Sequence, residues 1–76
     1  MSKPISIYGQ TIRQWRLYHG YRSRSKFAAA CGVSVYTIQG LELGNTRTPS
    51  DLFRAAILRF AAEQGWDPPA GWTDSL

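Results

Sequence analysis

Serine and glycine punctuate this chain so closely that no long helix fits between them, and that punctuation sets the fold. Ser23 is placed to cap a helix start, its hydroxyl accepting from a free amide of the first turn. Gly32 stops that helix, Ser34 caps the next, and Gly44 ends it. Gly20 is the stop signal of an earlier helix, and Gly65 that of a later one. The segment from Ser23 to Gly44 is therefore two short helices joined by a tight turn at Gly32, Val33 and Ser34. Gly32 supplies the positive φ that such a turn often requires.

Apolar spacing fills in the rest. The first helix is expected from about Gly9 to His19, with Ile12 and Trp15 on a buried face and Arg13, Gln14 and Arg16 on the wet one. The second buries Phe27, Ala28 and Cys31. The third turns Ile38 and Leu41 inward and Val35, Tyr36, Gln39 and Gly40 towards the other side. The fourth is expected to open with Thr48 as N-cap, Pro49 first and Asp51 third, followed by a stripe of Leu52, Phe53, Ala56, Ile57, Phe60 and Ala61. These elements predict an all-α, compact bundle of four to five helices over residues 1–66, with an irregular tail over 67–76 that holds Pro68, Pro69 and Gly71. Trp66 can pack back on the last turn. Trp72 folds over the core, reaches across a dimer interface, or stays solvated.

With 76 residues the chain suffices for one domain with a modest core, and dimerisation is a common source of added stability at this size. Its single cysteine, Cys31, forms no internal disulfide, and no Cys/His cluster has zinc spacing. Met1 to Tyr8 lacks the order of a signal peptide, and the apolar runs are too short to span a bilayer. A soluble, cytoplasmic protein without cofactor or metal is expected. The net charge of +4 is unevenly spread. Lys3, Arg13, Arg16, Arg22, Arg24, Lys26 and Arg47 face Glu42 alone in residues 1–48, whereas residues 49–76 are net acidic. A basic half on an acidic body is the footprint of a polyanion-binding surface, or else a solvated face that happens to be basic.

Helix, glycine turn and helix in this order make the helix-turn-helix arrangement. The chain resembles the Cro and lambda-repressor-like (XRE-type) helix-turn-helix domains of phages, plasmids and bacterial regulators. The likeness covers about Ile12 to Ala62. It rests on Ile12-Arg13-x-Trp15-Arg16, Phe27-Ala28, Gly32-Val33-Ser34-x-x-Thr37-Ile38, Leu41-Glu42-x-Gly44 and Pro49. Such domains usually have five helices, and four are legible here; one extra residue lies between Gly20 and Ser23.

The resemblance implies roles. Val35 to Leu43 becomes the recognition helix, entering the major groove by its N-terminal end, with Val35, Tyr36 and Gln39 as candidate base contacts. The chemistry agrees: Gln pairs with adenine N6 and N7, Val touches a thymine methyl, and Tyr donates to a base or phosphate. Arg22, Ser23, Arg24 and Thr37, together with Asn45, Thr46 and Arg47, are the candidate phosphate contacts. Gly40 stands where the family usually has a side chain; it serves closer approach to DNA or packing against a neighbour. The helix carries no Arg or Lys, which implies weak direct readout and some dependence on DNA shape.

Other residues have structural readings. Glu42 resembles a family residue that buttresses backbone and helix packing. Cys31 reads as core, His19 as a helix cap, and Lys26, Arg54 and Arg59 as solvated. Tyr36 has a competing role in a protein interface. No catalytic constellation is present: no glycine-rich phosphate loop with its lysine, no carboxylate pair, and no group to orient the lone histidine. The expected function is a homodimeric regulator, a repressor by preference, that binds an inverted repeat in double-stranded DNA. Two alternatives stand beside it. One is a protein-capturing module of antitoxin or antiactivator type, with Trp66 and Trp72 of the tail as candidate dimer or partner contacts. The other is an accessory factor in recombination or excision.

Overall fold

Four serine hydroxyls start the four helices. The computed structural model describes residues 5–73, and their element order is α1 (Ile7–Tyr18), α2 (Arg24–Cys31), α3 (Val35–Leu43) and α4 (Asp51–Gln64). Ser6, Ser23, Ser34 and Ser50 accept from the amides of Gly9, Lys26, Tyr36 and Phe53 respectively. The fold is all-α, with no strand among the described residues and no helix long and apolar enough to cross a membrane.

At the turn between α2 and α3, Gly32 takes φ 73°, and the N–H of Val33 returns to Ala28 O at 3.0 Å. This pattern satisfies the last carbonyls of α2 and turns the chain within three residues. The α4 start differs from the expectation. Ser50, not Thr48, is the N-cap, so Asp51 is the first helical residue and Pro49 lies buried before the helix. A serine adjacent to the helix satisfies an amide that a threonine two residues earlier does not reach.

Ile12, Trp15, Phe27, Ala28, Cys31, Ile38, Leu41, Phe53, Ile57, Phe60 and Ala61 form one core, as the spacing implies. Three expectations are overturned. Arg16 is not on the wet side but 3% exposed, because it lies one turn beyond Ile12 on the same face. Leu52 is 86% exposed and leaves the stripe. Arg54 is buried, donating to Tyr8 Oη at 3.1 Å with its guanidinium 5.4 Å from that ring's centre.

The C-terminal segment closes the core. Trp72 is fully buried, stands 5.7 Å from the Tyr8 ring, and donates from Nε1 to Thr11 Oγ1 at 2.9 Å. Burying an indole of this size contributes about 4–6 kcal/mol as an upper figure. Trp15 Nε1 donates to Asp67 O at 2.7 Å. Trp66 is half-buried and stacks flat on His19, centres 3.7 Å apart, beyond the end of α4. His19 is the C-cap residue of α1, and burial pushes its pKa below 6.5.

Gly9 marks the closest approach of two helices. A Cβ there would collide with the backbone oxygen of Leu41 in α3 and with the Ile5 side chain. Gly9→Ala is therefore expected to destabilise the fold by about 1–3 kcal/mol through overpacking. Thermal melting should show a drop of roughly 4–8 °C for each kcal/mol lost. Burial also pushes the Cys31 thiol from 9.0 up to about 12. The neutral thiol is favoured in the fold, so this contribution is whole below pH 9 and is lost as pH rises towards 12. Ellman's reagent at pH 8 should label Cys31 only as the protein unfolds.

Candidate nucleic-acid interface

One carboxylate organises the surface around α2 and α3. Glu42, with a fully buried side chain, accepts from Arg16 Nε at 2.9 Å on one oxygen and from Arg16 Nη2 at 2.8 Å on the other. The second oxygen also accepts from Arg24 Nε at 2.9 Å. Arg16 Nη1 continues to the carbonyls of Tyr21 and Arg22, at 2.7 and 2.9 Å. The network joins α1, the loop before α2, the first residue of α2 and the C-terminal half of α3. Such charge-assisted, two-pronged bonds hold geometry tightly.

Arg24 is consequently held by its Nε, one third of its side chain exposed. Its terminal nitrogens form no ion pair among the described residues. Arg22, next to it, is exposed, while its carbonyl serves Arg16. Ser23 spends its hydroxyl on Lys26 N–H at 3.3 Å, so its first role is the α2 cap.

At the start of α3, Tyr36 is 80% exposed and Gln39 is exposed one turn on. The two share a face of the helix. Val35, by contrast, is half-buried against the core, and Thr37 is half-buried as well. The outward surface of the helix start is thus carried by Tyr36 and Gln39.

The loop after α3 folds onto the helix it leaves. The amides of Asn45 and Thr46 both donate to Gly40 O, at 2.8 and 3.0 Å. A Cβ at Gly40 would lie 2.8 Å from Thr46 Oγ1. Of the two readings of Gly40, packing against a neighbour is the one the structure gives. Asn45 and Arg47 remain exposed, and Thr46 is half-buried beneath them.

The structure thus brings Arg22, Ser23 and Arg24 together at the start of α2, and Asn45, Thr46 and Arg47 at the end of α3. It withdraws Trp72, whose side chain is wholly enclosed by its own chain, from the candidate partner contacts. Trp66 has one face covered by His19. Arg16 is the residue of this network that sequence reasoning misplaced. The signal for it was present: Glu42 is the sole acidic residue of the basic half, and an arginine one turn after Ile12 is aimed at the core. Comparison with protein-family models, with curated proteins and with solved structures returns no match.

Removing the carboxylate leaves Arg16 buried and unpaired. Glu42→Ala is expected to cost about 3–5 kcal/mol, the usual result of breaking a buried pair by deleting one partner. A urea titration should show a large fall in midpoint.

Proposed function

We propose that this protein is a sequence-specific double-stranded DNA-binding regulator of transcription, of the Cro and lambda-repressor-like class. In this reading α3 is the recognition helix, and the protein acts as a homodimer on an inverted repeat. The observation that carries the reading is the pairing of two features on adjacent elements. Tyr36 and Gln39 stand exposed on the first turns of α3, and Arg24, held by Glu42, stands at the start of α2. A polar helix start on one element and a fixed cation on the element before it suit a groove flanked by phosphates. Arg22, Asn45 and Arg47 add exposed polar and basic groups on the flanking segments.

Gln39 reads the base, and Tyr36 donates to a base edge or phosphate. Arg24 and Arg47 neutralise the backbone and set register. Two recognition helices about 34 Å apart would then meet successive major grooves on one side of the duplex. The capture reading drew its support from the two tryptophans and the acidic balance of the tail; the tryptophans are engaged with Thr11 and His19 of their own chain.

The test is binding to the DNA upstream of its own coding sequence, with random duplex as competitor, at two salt concentrations. A discrete complex of two protein chains that survives excess competitor is the expected result. Gln39→Ala should weaken that complex by about 1–3 kcal/mol while leaving affinity for random duplex nearly unchanged. Equal loss from both duplexes as salt rises would reduce the surface to a non-specific basic one and overturn the proposal.

A further inference from the structure

We propose that α1 adds a phosphate clamp of its own, in which Arg13 and Gln14 hold the DNA backbone beside Arg24. This rests on the DNA-binding reading and extends the contact to a helix outside the turn motif. A recess of about 420 Å³ lies among the first three helices. Gln10, Arg13 and Gln14 of α1 line it, with Arg24 from the start of α2 and Glu42 and Leu43 from the end of α3. Positions three and four apart on a helix share a face, so the three α1 side chains converge on one opening.

The charge balance of the recess favours an anion. Glu42 is its acidic member, and both of its oxygens already accept from Arg16 or Arg24. Arg13 is exposed and forms no ion pair among the described residues. The recess thus holds two guanidinium groups, Arg13 and Arg24, against one carboxylate already paired with Arg16 and Arg24, and the surplus positive charge is carried by Arg13 and by the outer nitrogens of Arg24. A guanidinium fork matches the oxygens of a phosphate, and the Gln14 amide supplies a neutral donor. Gln10 already commits one of its two amide hydrogens to Ile5 O at 2.9 Å, which holds its side chain against the wall of the recess.

Continuity selects the duplex backbone as the source of that anion. Arg24 lines the recess and is also the cation at the start of α2, so a phosphate seated by Arg13 neighbours the one held there. Successive phosphates on a strand are spaced closely enough to occupy adjacent cations.

Binding to a random-sequence duplex, measured across a salt series, tests this without knowledge of the operator. Each neutralised phosphate contributes about 0.9 to the slope of log affinity against log salt. Arg13→Ala is expected to lower the slope by about one and to weaken random and upstream duplexes by the same factor. Arg13→Lys should retain most of the slope. Arg59→Ala, at an exposed position of α4, should leave it unchanged. If wild type binds and Arg13→Ala keeps the wild-type slope, the clamp is overturned while the DNA-binding reading stands. An equal loss in Arg59→Ala would mean general charge and overturns it too. If inorganic phosphate shifts the Arg13 and Arg24 resonances while Arg13→Ala binds duplex normally, the recess takes small anions and the duplex assignment fails. If wild type binds no duplex even at low salt, the DNA-binding reading falls, and the clamp falls with it.

Discussion

A carboxylate taken fully out of water is the constraint around which this small protein is arranged. Desolvating Glu42 costs several kcal/mol, and attraction to a single cation seldom repays it in full. The chain offsets the cost with three charge-assisted hydrogen bonds from two arginines. Each bond also fixes the place of an element. Arg16 can reach Glu42 only if α1 lies against α3, and the absence of a Cβ at Gly9 is what allows that approach. The remaining Arg16 nitrogen draws in the Tyr21–Arg22 backbone, which sets where α2 begins. Arg24 then completes the carboxylate's coordination from the other side. A hydrophobic core alone would leave the sliding of α1 along α3 weakly specified, because dispersion and burial have little directional preference. The ion network supplies direction.

The same network makes the outward chemistry precise. An arginine on a free helix end samples many rotamers, and ordering it on binding carries an entropic cost. Arg24 has its Nε already committed, so part of that cost is met during folding. The exposed side chains on α3 are served differently. Tyr36 and Gln39 gain definition from a backbone anchored by the Ser34 cap and by Ile38 and Leu41 beneath. The polar surface therefore rests on a rigid scaffold even though its own side chains are solvated.

Much of the fold was legible because it is written in local signals. Ser23, Gly32, Ser34, Gly44 and Gly65 act on their own helix ends, and all five stand where the residue types imply. The departures arise where a distant partner decides. Arg16 and Arg54 look like surface residues by type, yet Glu42 and Tyr8 bring them inside. Thr48 is the expected cap of α4, but Ser50, adjacent to the first turn, is the residue that reaches a free amide. Leu52 fits the stripe by residue type but stands on the open side of the first turn of α4. Of the candidate site, spacing marked Tyr36 and Gln39 as outward but also Val35, which the structure leaves half-buried against the core, and the two basic flanks came from the resemblance. The recess between α1 and α3, and the restraint on Arg24, required three helices to be placed at once.

The residues after α4 change their meaning once placed. All three tryptophans of the chain meet at the seam between α1 and this segment: Trp15 bonded to Asp67 O, Trp66 stacked on His19, Trp72 bonded to Thr11. The segment is a wall of the core, so its undocking would change the surroundings of every indole together. Intrinsic fluorescence of this protein thus becomes a gauge of one joint, and a ring stacked on an imidazole makes part of that light sensitive to the protonation of His19.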